Sequence, residues 1–189
     1  MHKILQNVQF FKLQEQIDHD LAAQAQQAGC PLCGGRLDCA NYPRKSRGGP
    51  IDWNWRLSFC CDRCRKRMTP VSVRFLGPKV YVGAMVTLAA AMQNGLAPWR
   101  VARLSRELGV GRRTLRRWRE WWRKTFVNTP FWKGARGAFA RPVAEGTMPL
   151  GLVETFGADG AAGSEEGMMR LLLFIAPITT GRRCGGLGM

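Results

Sequence analysis

The amino-acid sequence predicts a mostly α-helical chain with one small β region, an α+β protein. Three observations carry that prediction. Segments rich in helix formers and punctuated by Gly and Pro fill residues 4–28 and 81–127. Residues 52–59 (DWNWRLSF) alternate strictly between polar and apolar side chains. Four of the seven cysteines form two C-x-x-C pairs that bracket this alternating stretch. A length of 189 residues suits one large domain or two small ones. At 46% hydrophobic and 10% aromatic the chain is too apolar to be disordered.

The first element is a helix over residues 4–28, with no Gly or Pro inside it and Gly29 to stop it. Ile4, Val8, Phe11, Ile17 and Leu21 can share one apolar face, packed either on the protein's own body or on a second copy in a homodimer. Next comes a β ribbon over residues 30–80. In it Trp53, Trp55, Leu57 and Phe59 are expected on one face, and Val71, Val73 and Phe75 repeat the pattern briefly. Residues 43–49 (PRKSRGG) read as a polar loop at its tip.

Three helices follow over residues 81–127. The first, 81–93, ends at Asn94-Gly95; the second, 99–108, has Pro98 in its first turn and closes at Gly109; the third covers 112–126. Residues 128–189 form a tail with short helices at 130–138, 149–156 and 164–176, the last started by Ser164-Glu165-Glu166, and a frayed end from Arg182. The apolar run from Met168 to Ile175 either covers the core or docks a partner.

The formal net charge of +16 is confined. Residues 1–29 carry −1, residues 30–80 carry +8, residues 81–133 carry +9, and residues 134–189 are neutral. A solubility surplus would spread evenly, whereas this concentration points to a polyanion, and nucleic acid is the commonest. The longest apolar stretch, residues 80–92, contains Gly83 and Thr87 and is shorter than the roughly 20 residues of a membrane span. The N-terminus places glutamines where a signal peptide needs apolar residues. The expectation is a soluble, cytoplasmic, nucleoid-associated protein with no membrane partner.

The cysteine pairs are Cys30-Pro-Leu-Cys33 and Cys61-Asp-Arg-Cys64. Two such turns facing each other place four thiolates at the corners of a tetrahedron, which suits one structural Zn²⁺. The 27 intervening residues exceed the usual gap, and the long ribbon accounts for the excess. Cys60 adjoins Cys61 and is the alternative third ligand, although the spacing favours Cys61; Cys39 and Cys184 read as ordinary thiols. A site closed by four protein ligands has no open position for a reacting water, so its role is structural. Around it, Arg44, Lys45 and Arg47 in the loop, and Arg65, Lys66 and Arg67 beside the second pair, are candidate phosphate contacts.

Residues 101–120 (VARLSRELGVGRRTLRRWRE) carry the spacing of a helix-turn-helix. Ser105 is the small residue at the crossing and Gly109 makes the turn. Leu104, Leu108, Val110, Leu115 and Trp118 wedge the pair, with Trp122 and Thr125 continuing the inward face. Arg112, Arg116, Arg119 and Arg123 form one outward row, Arg113 and Arg117 a second. Such rows repel themselves unless an anion binds, so these six arginines are the candidate contacts to double-stranded DNA; those at the helix start reach bases or phosphates.

Taken in order, C-P-L-C-G-G, C-C-D-R-C-R-K-R-M-T-P and V-G-R-R-T-L-R-R-W resemble the DNA-binding front end of bacterial insertion-sequence transposases over about residues 30–126. The resemblance implies a zinc ribbon and a helix-turn-helix gripping neighbouring segments of a transposon end. That family's catalytic RNase H-like domain has no counterpart: 62 residues remain after residue 127, with acids at Glu145, Glu154, Asp159, Glu165 and Glu166 and no strand series to carry them. The expected protein is therefore a non-enzymatic accessory factor, regulator or DNA-binding component working with a separately encoded catalytic subunit. Two alternatives stay open: an RNA-binding zinc-ribbon protein that stacks Trp53 or Trp55 on bases, and a small transposase or nuclease using the tail acids.

Overall fold

The computed structural model describes residues 3–44, 46–49, 53, 55–76, 80–95, 97–157 and 164–180. They form a mostly helical protein with two small antiparallel sheets. Chain packing divides them into two compact units. One takes the described residues up to Gly83 together with those from Leu172 onwards; the other takes those from Ala84 to Leu171.

In the first unit, a 3₁₀ turn at Ile4–Gln6 leads to α1, Val8–Ala28. Asn7 caps α1 by accepting from the backbone N–H groups of Gln9 and Phe10. The buried face follows the apolar stripe that the spacing suggests only in part: Ile4 and Phe11 are buried, and Ile17 and Leu21 are half-buried. Phe10, Phe11, Gln14, Asp18 and Ala22 face inward, whereas Val8 is 61% exposed. Of the two polar residues there, the Gln14 amide is buried without a hydrogen-bond partner among the described residues, whereas Asp18 is fully engaged. Its Oδ1 accepts from the N–H of Val73 at 2.7 Å, and its Oδ2 accepts from the Ser72 hydroxyl at 2.5 Å and from Nε of buried Arg74 at 2.8 Å. Phe11, Trp53 and Phe75 meet edge to face beside this network, with ring centroids 5.2 and 6.4 Å apart.

The strands are short. β1, Leu37–Cys39, pairs with β4, Phe59–Cys61, which pairs in turn with β5, Arg67–Met68. A separate ribbon joins β2, Tyr42–Pro43, to β3, Trp55–Arg56. The single strand expected over residues 52–59 is therefore broken, and its faces are mixed. Trp53, Leu57 and Phe59 are buried, Trp55 is 55% exposed, and Arg56 and Ser58 are buried in its place. Arg56 reaches the core because its guanidinium donates to the Pro70 carbonyl at 2.5 Å and lies over the Phe75 ring. Asp52 and Asn54 of the alternating stretch, the frayed end from Arg182, and Cys184 lie outside the described residues.

The second unit begins at Ala84 in α2, Gly83–Met92, a helix buried on all sides from Ala84 to Ala91. α3, Pro98–Leu108, opens on Pro98 and ends on Gly109. Gly109 is left-handed at φ 61°, a conformation that favours glycine. α4, Arg112–Glu120, follows after a turn. Leu104, Val110, Leu115 and Trp118 are buried as expected, and Leu108 is half-buried. Ser105 fixes the turn by donating its hydroxyl to the Val110 carbonyl at 2.7 Å.

The expected inward position of Thr125 is corrected: it is exposed, and Phe126 is buried instead. The cause is a π-helical turn at Trp121–Thr125, which inserts an extra residue and shifts the register after Trp122. Beyond it lie α5, Pro130–Ala135, α6, Leu150–Thr155, and α7, Ser164–Ile175, of which this unit takes the residues up to Leu171. The tail is part of the core: Trp132, Met148, Leu152, Met168 and Leu171 are almost completely buried. Among the described residues, no helix is long and apolar enough to cross a membrane.

Candidate metal centre and arginine face

Two reverse turns of the same shape build the cysteine cluster. In the first, the N–H of Gly34 donates to the Cys30 carbonyl at 2.8 Å; in the second, the N–H of Arg65 donates to the Cys61 carbonyl at 3.1 Å. Each closing residue is left-handed, Gly34 at φ 68° and Arg65 at φ 58°. β1 and β4 set the turns face to face, with Leu37 opposite Cys61 and Cys39 opposite Phe59. Across the gap, the N–H of Asp62 donates to the Arg36 carbonyl at 3.0 Å and Arg63 donates to the Cys33 carbonyl at 3.2 Å.

The result brings the sulfurs of Cys30, Cys33, Cys61 and Cys64 within 4.8 Å of one another, with no disulfide among them. Cys30 and Cys64 are 3.6 Å apart and Cys33 and Cys61 3.5 Å, sulfur to sulfur. These four can hold a metal ion, and Cys61 rather than Cys60 completes the group. The Cys60 thiol instead points to the Arg65 carbonyl at 3.6 Å. Gly35 faces the cluster so closely that an added Cβ would stand 2.9 Å from the Cys61 sulfur. The backbone N–H groups of Leu32 and Cys33 lower the Cys30 thiol to about 7. At Cys61 the N–H of Cys64 pulls the same way, but burial and the thiols of Cys33 and Cys64 leave it raised to about 12. Ala22, Leu37, Leu57 and Phe59 pack around the cluster and keep one side of it dry.

The basic residues near this cluster are largely committed to the fold. Arg44 is half-buried with its guanidinium 4.6 Å from the centre of the Phe75 ring, and burial lowers its pKa. Arg67 donates to the Ala40 carbonyl at 2.7 Å and the Ser58 hydroxyl at 3.2 Å, and lies over Tyr42. Arg47, Arg65 and Lys66 are exposed, and Lys45 lies outside the described residues. Arg56 and Arg74, which the sequence pattern does not single out, are the buried cations; burial brings Arg56 down to about 10.

In the second unit Arg112, Arg113, Arg116 and Arg117 are exposed along α4, and Arg119 is half-buried. Arg123, within the π-helical turn, donates to Asn94 Oδ1 at 2.5 Å. Gln93, Pro98, Val101, Arg112, Arg113, Arg116 and Arg119 enclose an open groove of about 570 Å³. The tail acids are dispersed. Glu145 accepts from the Trp132 indole at 2.8 Å and from Arg136 at 3.0 Å, which together lower its pKa. Glu166 pairs with Arg170, Glu154 is exposed on α6, and Asp159 lies outside the described residues. Among the described residues, the four cysteines are the one set of His, Cys, Asp and Glu side chains grouped closely enough to hold a metal. No protein-family model, curated protein or solved structure matches this chain.

Proposed function

We propose that this chain is a zinc-dependent, non-enzymatic, sequence-preferring DNA-binding protein, in which a four-cysteine zinc ribbon supports one unit and a helix-turn-helix over α3 and α4 makes the principal contact. The observation that carries the reading is the exposed arginine face of α4: four guanidinium groups on nine residues, interrupted by no acid until Glu120. Like charges at such spacing disfavour the helix by a few tenths of a kcal/mol per pair, and a polyanion reverses that sign. Zinc is favoured because four thiolates are soft ligands. A tetrahedron with Zn–S bonds of about 2.3 Å has edges near 3.8 Å, close to the sulfur spacings described above. The metal would hold the two turns together and supply folding energy; it would have no open coordination position.

The order of the two motifs supports a place in a mobile element, as a regulator or as the DNA-binding component of a separately encoded transposase. One observation favours RNA as the second reading: Trp55 is exposed and available to stack on a base. Fluorescence anisotropy of the zinc-loaded chain on duplex pools, across a salt series and with RNA competitors, separates the two. Duplex binding should weaken linearly in log affinity against log salt, and RNA should compete poorly. Binding indifferent to salt, or stronger binding to RNA, would overturn the DNA reading.

A further inference from the structure

The arginines of α4 do not all face the same space. Arg112, Arg113, Arg116 and Arg119 line the groove whose opposite wall is Pro98 and Val101 of α3 together with Gln93, whereas Arg117 does not line it. That wall is fixed, since the Gln93 amide donates to the Ala89 carbonyl at 2.9 Å and to the Leu115 carbonyl at 3.1 Å. Among the described residues, no acidic side chain lines the groove, and Glu107 on α3 is paired with Arg103 at 2.7 Å. Four cations therefore line one recess, and among the described residues none of them is paired with an acid.

We infer that this groove is a phosphate clamp, and that Arg117 is the α4 arginine left to face bases; the inference rests on the nucleic-acid reading for the source of the phosphates. Shape argues for phosphate. Base edges lie inside a duplex groove and are reached by side chains that protrude, while backbone phosphates project outward and fit a recess. Chemistry agrees, because a guanidinium fork matches two phosphate oxygens at once. At about 570 Å³ the groove is larger than one phosphate needs, so it can take successive phosphates of a strand or the linked phosphates of a free polyphosphate.

Tripolyphosphate titrated into the full zinc-loaded chain, with and without duplex DNA, tests the site. Arg116→Ala and Arg119→Ala should each weaken tripolyphosphate about tenfold. Each should also lower the salt slope of duplex binding by about 1, uniformly across sequences. Arg117→Ala should instead change the ranking of duplex sequences, and Arg141→Ala, exposed and outside the groove, controls for loss of one charge. Unchanged melting of each variant verifies folding. Tripolyphosphate binding that needs Arg116 and Arg119 but is never displaced by duplex keeps the clamp, assigns it to a free polyphosphate and ends the DNA reading. Duplex binding with an unaltered slope in both groove variants overturns the clamp and leaves the DNA reading standing. Altered sequence ranking in Arg116→Ala would equally overturn it.

Discussion

Residues 30–80 and residues 81–133 carry almost the same net charge, +8 and +9, yet they use it in opposite ways. Near the cysteines, Arg56 and Arg74 are buried, Arg44 lies on Phe75, and Arg63 and Arg67 hold backbone carbonyls. On α4, by contrast, Arg112, Arg113, Arg116 and Arg117 stand in solvent. A cation held by an aromatic ring or a carbonyl still contributes to the protein's field. It cannot lean out to a partner without giving up the contact that positions it. The charge of a segment therefore sets an upper limit to what a partner can meet, and only the fold determines how much of it remains.

The largest expected effect tests whether the metal supports the cysteine region alone. Cys61→Ser should abolish metal binding and unfold that unit, whereas Cys60→Ser should keep a full equivalent, read by bound metal per chain and circular dichroism. The thiols must shed protons to bind, and Cys61 holds its proton up to about 12 while Cys30 releases it near 7. Metal affinity should consequently fall as pH drops from 8 to 6; a flat profile would exclude thiolate coordination.

The second test compares ion pairs. Asp18→Asn leaves buried Arg74 with only the half-exposed carboxylate of Glu15, at 3.4 Å, and should cost about 3–5 kcal/mol in urea unfolding. Glu107→Gln breaks the exposed pair with Arg103 and should cost less than about 1 kcal/mol. Equal losses would remove the contrast between the regions. The third test sharpens it. Arg44→Ala should lower stability by about 0.5–2 kcal/mol with the salt slope of duplex binding intact, and Arg113→Ala should do the reverse.

The smallest effect concerns the two matching turns. Arg65 occupies the left-handed position that glycine fills in the first turn, so Arg65→Gly should stabilise the protein by about 1 kcal/mol, measured by thermal melting. A loss of stability would mean that the Arg65 side chain holds something more valuable than an unstrained backbone.

Helix limits were legible wherever chemistry is local. Pro98 opens α3, Gly109 closes it, and Ser164 marks the first residue of α7, each through the backbone of its immediate neighbours. The cysteine cluster was legible because two equal spacings require two equal turns. The inward faces of α1 and β3 were legible only in part. Asp18, Arg56 and Arg74 read outward by polarity, and what buries them comes from far along the chain: Asp18 meets the N–H of Val73, 55 residues away. Trp55, which reads inward, is exposed for the complementary reason, since Arg56 has taken the core side of the ribbon. The π-helical turn leaves no compositional mark at all, and Thr125 and Arg123 change their surroundings because of it.

That turn also sets a length. It ends the regular spacing at Glu120, so the arginine face is confined to nine residues, about 13 Å at 1.5 Å of rise per residue. A duplex advances about 3.4 Å per base pair, so such a face spans about four pairs. On the proposed reading, one copy of α4 has a short footprint, and a longer address on DNA would have to be composed from contacts outside it.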